Sequence, residues 1–205
     1  KAALQTFISQ LYADAIAGLF NNPWNIAGNG MNNDMYNIFF AEKIIQQFQP
    51  ELLVVNMQDV DICHTNFTQY CNNLRKADYA VAHLWNTIQQ TPGMQDDTIL
   101  IIAPEHGRNQ YTNSIIDSNG RPAVDHTAPH PSQGGDQMSR DIFCLVVGPS
   151  SKVNWGNVYD NSTPNIKGES IEIVSSIGNI LGYDTEISSG ILKQFDYCDL
   201  KYAFV

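Results

Sequence analysis

Asp97-Thr-Ile-Leu-Ile-Ile-Ala-Pro-Glu-His-Gly107 is the stretch from which the fold is read. Its apolar run, 98–103, has the length of a strand and breaks at Pro104 into a Glu-His-Gly turn. Two more runs share its character: Glu51-Leu-Leu-Val-Val-Asn-Met57 before it and Asp141-Ile-Phe-Cys-Leu-Val-Val147 after it. Strands that are almost continuously apolar, rather than alternating, suit a parallel sheet buried on both faces. Helical stripes fill the intervals. Leu4, Phe7, Ile8, Leu11, Ala15 and Leu19 predict a helix over 2–20. Tyr36, Phe39, Phe40, Ile44 and Ile45 predict one that Asp34 caps and Pro50 stops. The most regular stripe is Phe67, Tyr70, Leu74, Ala77, Val81, Leu84, Trp85 and Ile88, ended by Pro92-Gly93. A last helix is predicted over 170–181, closed by Gly182. Strands alternating with helices predict an α/β fold with a largely parallel sheet flanked by helices. A long polar loop, 105–140, separates the second strand from the third.

A chain of 205 residues fits one packed domain, with 1–50 as leading helices and 51–205 as the metal-binding part. Lys and Arg number 11 against 21 Asp and Glu, a net charge of −10, so no basic stripe is present to hold nucleic acid. An anionic substrate is still compatible with this charge if metal ions reverse the local sign. The apolar runs are strand-sized, which excludes a membrane span. Cys63, Cys71, Cys144 and Cys198 contain no CxxC pair, which argues against a zinc knuckle; Cys63 and Cys71 can pair if the protein is exported. Few lysines with many Asn and Gln suit a periplasmic or secreted protein. Asn66-Phe-Thr and Asn161-Ser-Thr fit the glycosylation pattern, a common chance match. Lys1-Ala-Ala-Leu carries no signal peptide and reads as an internal starting point, as of an excised or processed fragment.

Ligands in open α/β sheets collect beyond the carboxyl ends of the strands, and there the chain places carboxylates and imidazoles. Asp59, Asp61 and His64 follow the first run, Glu105 and His106 the second, and Asp125, His126 and His130 lie further along the loop. Any one of these alone reads as a turn or capping residue. Grouped, they are the mixed nitrogen and oxygen donors that zinc or manganese takes, in numbers sufficient for one or two ions. A metal pair clamps the attacking and leaving oxygens of an in-line displacement. Arg108 reads either as a contact to a substrate oxyanion or as a surface ion pair. His83 reads as structural, Tyr70 and Trp85 as core, Cys63 as packed or disulfide-bonded, and Asp78 as a structural acceptor.

In their order, Pro50-Glu-Leu-Leu-Val-Val-Asn, Asp61-Ile-Cys-His64, the helix bearing Tyr70, Leu74 and Asp78, and the Glu105-His-Gly turn resemble the alkaline phosphatase superfamily. That superfamily includes phosphodiesterases, sulfatases and cofactor-independent phosphoglycerate mutases. Asp117-Ser-Asn-Gly-Arg-Pro-Ala-Val-Asp-His126 is similar to the mutase-like segment bearing the last histidine ligand, and 171–182 to the C-terminal helix. The resemblance runs from about Asp34 to Gly190. It implies a first metal site of Asp61, His64 and His126 and a second supplied by Glu105 and His106, with His130 as an alternative to His126. The family separates its first Asp and His by three residues. Here two separate Asp61 from His64 and four separate Asp59 from it, so either aspartate fills the position. Glu105 stands where the family has Asp. The family's nucleophile and a further Asp ligand precede this region and have no counterpart before Asp34. The resemblance therefore implies a metal-dependent hydrolase of phosphate mono- or diesters, its substrate a small phosphate or sulfate ester, with the nucleophile in an N-terminal half of the same enzyme outside this chain. A sulfatase, a phosphomutase or phosphoethanolamine-type transferase, and a non-catalytic binding module are the alternatives.

Overall fold

The computed structural model describes residues 1–28, 30–126, 137–158, 170–183 and 203–204. The chain divides into two compact units, Lys1–Met94 with Gly107–Asp141, and Gln95–His106 with Ile142–Val205.

The first unit is built on helices. They are α1 (Ala2–Ile16), α2 (Asn33–Phe48) and α3 (Phe67–Gln90), with a 3-10 turn, Asp59–His64, between the last two. Each helix lies close to its sequence-predicted span. Asn32, not Asp34, caps α2, its side chain accepting from the Met35 amide at 3.1 Å. Asn66 caps α3 in the same way through Gln69, which gives this asparagine a structural role. The core between α2 and α3 holds Met35, Ile38, Phe39, Ala80, Leu84 and Ile88. Only part of the predicted stripe of α3 is in it: Leu74 is exposed, whereas the polar Asn73 and Thr87 are buried. The polar side chains are buried because they carry bonds. Asn73 donates to the Asp59 carbonyl at 2.5 Å, and Thr87 donates to Glu42 at 3.0 Å. His83 completes that second contact at 2.5 Å from Glu42 and stacks on Trp24 with ring centroids 4.2 Å apart, a structural role as its helix position predicts.

Asp34 is 1% exposed and does different work from the cap expected of it. Its two carboxylate oxygens accept from the backbone amides of Gln58 (2.7 Å) and Asp59 (2.9 Å). Asp59 reciprocates, accepting from the Asp34 amide at 3.2 Å. Burial pushes the Asp34 carboxyl above its ordinary pKa, against the opposing pull of the two amides. The exchange fixes the start of the 3-10 turn to the first turn of α2.

Among the described residues the expected parallel α/β sheet does not form. In the second unit β1 (Leu100–Ile102) and β2 (Leu145–Val147) pair antiparallel, Leu100 opposite Val147 and Ile102 opposite Leu145. They make up the sheet among the described residues, which are mostly helical. The run 51–57 is irregular chain rather than a strand, with Leu52 52% and Val54 78% exposed. An apolar run favours burial, but a strand exists only where a neighbour takes up its amides and carbonyls, and 51–57 has no ladder partner among the described residues. In the same unit, α4 (Ile171–Ile180) follows its prediction and ends at Gly182, whose φ of 78° is the left-handed conformation that glycine adopts without strain. A side chain at Gly148 would meet Val153, and Trp155 donates to the Gly148 carbonyl at 2.7 Å, which closes the chain after β2.

Replacing Asp34 by Ala leaves two amides without their acceptor. We expect a loss of about 2 kcal/mol in stability, read as a lower urea midpoint at unchanged slope.

Candidate metal centre

The 3-10 turn explains why Asp61 and His64 act together. Its bonds run from the Asp61 amide to the Gln58 carbonyl and from the Thr65 amide to the Ile62 carbonyl, both 3.0 Å. With about three residues per turn, residues three apart eclipse each other, so two intervening residues place this pair on one edge. His64 Nε2 lies 3.2 Å from Asp61 Oδ1. Asp59 turns away to α2, where Asn33 and the Asp34 amide bind it, so the geometry brings Asp61 and not Asp59 to His64.

His126 arrives on a short hairpin. Ile116 and Pro122 form an antiparallel bridge around the turn Asp117-Ser-Asn-Gly120, where Gly120 has φ 77°. Asp117 organises both ends. Its carboxylate accepts from the Thr68 amide at the start of α3 (2.8 Å) and from the Asn119 and Arg121 amides (2.9 and 3.0 Å). Burial raises its pKa, but the bonds from Arg121, Thr68 and Asn119 outweigh that and hold the carboxyl far below its ordinary value. Beyond the turn, the Val124 amide donates to the Cys63 carbonyl (3.1 Å) and Asn113 Nδ2 to the His64 carbonyl (3.0 Å). The hairpin is thus bonded directly to the 3-10 turn.

The outcome is a three-ligand group. Asp61, His64 and His126 each offer one donor atom, all within 4.8 Å of one another. His126 Nε2 is 3.8 Å from Asp61 Oδ1, and the two imidazole centroids are 4.5 Å apart. His64 Nδ1 is 2.8 Å from Asp125 Oδ1. With its proton on Nδ1, His64 donates to Asp125 and presents the Nε2 lone pair to the group. The hydrogen bond from His64, then that of Asn113, holds the Asp125 carboxyl below its ordinary pKa. Burial raises the Asp61 carboxyl, but the Arg108 hydrogen bond and the nearby charges of His64, Arg108 and His126 outweigh it and leave the pKa lowered. Both carboxylates are therefore ionised at neutral pH, as ligands and their orienting partners must be. An open depression of about 530 Å³ beside the group is lined by Gln58, Asp59, Asp61, His64, Gln69 and Asn73, among others.

The other candidates are placed by their own surroundings. Glu105 is exposed and His106 half-buried, and among the described residues neither joins a cluster of three ligands. Both belong to the second unit. His130 and Cys198 lie outside the described residues. Arg108 is bound to Asp61 Oδ1 at 3.0 Å and to the Val60 carbonyl at 3.3 Å. Cys63 and Cys71 are free thiols; Cys63 is fully buried, and burial pushes its thiol pKa up, as for a packed cysteine. Asp78 is exposed. Sequence reasoning missed the orienting role of Asp125 and the hairpin that delivers it. The signal was present in Asn119-Gly120 flanked by Ile115-Ile116 and Ala123-Val124, a hairpin pattern hidden inside a segment read as loop.

No protein-family model matches the chain, and no curated protein or solved structure is detectably similar to it. Among the described residues no helix is long and apolar enough to cross a membrane.

The depressed Asp117 pKa has a definite sign. Its contribution to stability is present above about pH 3.9, the ordinary aspartate value, and is lost as pH falls through the lower folded value. Asp117→Ala should therefore be less stable than wild type at pH 7, with the gap closing below about pH 3.9 when urea midpoints are compared across pH.

Proposed function

We propose that Asp61, His64 and His126 bind one divalent cation, zinc or manganese, and that the site serves the hydrolysis of phosphate mono- or diesters. The observation that carries the metal reading is the convergence of three donor atoms within 4.8 Å, one of them on an imidazole oriented by a carboxylate. Two imidazoles and one carboxylate are a donor set that leaves a position for a further ligand, as catalytic zinc sites do. The ester reading rests on the resemblance of the Asp61-Ile-Cys-His64 and Asp125-His126 segments to the alkaline phosphatase superfamily. A bound cation supplies Lewis acidity toward an ester oxygen. The chain's own residues do the rest: Asp61 offsets the cation's charge, Asp125 keeps the His64 proton on Nδ1, and the hairpin holds His126 against the 3-10 turn. A sulfate ester would meet the same donor set.

A metal-binding module without chemistry is the second reading. It is favoured by Glu105, which stands where the resemblance would place an Asp ligand.

Elemental analysis of the purified chain after zinc saturation and washing tests the first part. About one ion per chain is expected, and its loss in both His64→Ala and His126→Ala. Retention of the ion in either variant refutes the ligand assignment. Asp125→Asn should keep the ion but weaken its binding about 10- to 100-fold, measured by competition with a chelator. Release of phosphate from aryl phosphate mono- and diesters by the zinc-loaded protein separates the hydrolase from the binding module.

A further inference from the structure

Arg108 follows Gly107, where a side chain would collide with the Met138 and Asp141 carbonyl oxygens. The backbone at that point has one close-packed course, and it sends the Arg108 side chain inward, 19% exposed. The guanidinium lies over the Tyr70 ring, 5.7 Å from its centroid. Nη2 donates to the Val60 carbonyl and to Asp61 Oδ1. This Oδ1 is the same oxygen that stands 3.2 Å from His64 Nε2 and 3.8 Å from His126 Nε2. The second guanidinium nitrogen, Nη1, is buried and has no hydrogen-bond partner among the described residues. A buried N–H without an acceptor is costly, and a guanidinium is shaped to give two parallel bonds to one oxyanion.

We infer that Arg108 is an exchange group: it is the counter-ion of Asp61 while the ligand group holds no cation, and it binds a tetrahedral oxyanion once a cation takes its place. The inference rests on the metal reading above. A guanidinium and a divalent cation cannot share one carboxylate oxygen without placing like charges within about 4 Å of each other, so each weakens the other's hold on Asp61. The coupling is reciprocal. Arg108 released from Asp61 has both terminal nitrogens free to donate, beside the same ligand group, to the oxygens of a phosphoryl or sulfuryl group. The chain carries a net charge of −10, and Arg108 is the cation bonded to this group among the described residues.

Two measurements test this on the whole chain. The first is phenylglyoxal labelling of Arg108, read by peptide mass spectrometry. Labelling is expected to be slow without zinc, several-fold faster with zinc, and slow again when inorganic phosphate or sulfate is added to the zinc-loaded protein. Labelling that zinc leaves unchanged overturns the exchange, and a failure of both anions to protect overturns the anion role. Protection by phosphate alone, or by sulfate alone, supports it and identifies the ester class. The second is a calorimetric zinc titration of wild type, Arg108→Gln and Arg108→Met, the last keeping the apolar stem against Tyr70. The variants should bind zinc about tenfold more tightly than wild type. If wild type binds zinc and the folded variants bind it equally or more weakly, Arg108 positions Asp61 rather than competing for it, and this inference alone falls. If none of the three proteins binds zinc, the metal reading falls and takes this inference with it.

Discussion

The reciprocal bonding of Asp34 with Gln58 and Asp59 is the constraint on which the first unit depends. A carboxylate at 1% exposure is tolerable only where its oxygens are bonded, and here two backbone amides serve both of them. The geometry of that exchange sets where the 3-10 turn begins. Every later feature of the ligand group is measured from that start: the edge on which Asp61 and His64 fall, the direction of the Cys63 and His64 carbonyls, and so the seat of the hairpin. Asp59 is spent on this anchoring, which is why Asp61 is left to face the imidazoles.

The group itself is a balance of charges, with both imidazoles half-buried and Asp61 exposed. Asp61 meets two imidazoles and one guanidinium, and Asp125 stands behind His64. These neighbours hold both carboxyls below their ordinary pKa range. Hydrogen bonds hold the segments of the group together. The Val124 amide, the Asn113 side chain and the Asp117 carboxylate tie the hairpin to the 3-10 turn and to the start of α3. An orienting carboxylate behind a histidine is also a common partner in hydrogen-bonded networks without metal. The open depression beside the group and the orphaned Arg108 nitrogen are the features that a purely structural network would not require.

The run 51–57 shows the limit of hydrophobicity as a guide. Its stretch 52–55 is as apolar as β1, yet it joins no ladder among the described residues and leaves Leu52 and Val54 open to water. β1 is ordered by β2, which lies far from it in sequence and pairs antiparallel to it. Strand direction is a property of two segments, and neither run carries it alone.

Helices were legible because their information is local. The stripe periodicities and the Pro and Gly punctuation located α1, α2, α3 and α4 to within a turn or so at their ends, whereas the Asn32 and Asn66 caps went unread. The residue types of the ligand group were legible too, since Asp61, His64 and His126 are chemically conspicuous in loops. Tertiary structure alone decided the remainder. It chose Asp61 over Asp59 through the bonds of Asp59 to α2. It assigned Asp125 to His64 across 61 residues of sequence, and paired Arg108 with Asp61 across 47. It also replaced the expected parallel sheet with one antiparallel pair. The physical reason is the same each time: local sequence sets backbone preference and side-chain chemistry, whereas a hydrogen bond between distant segments is specified only when packing brings both partners together.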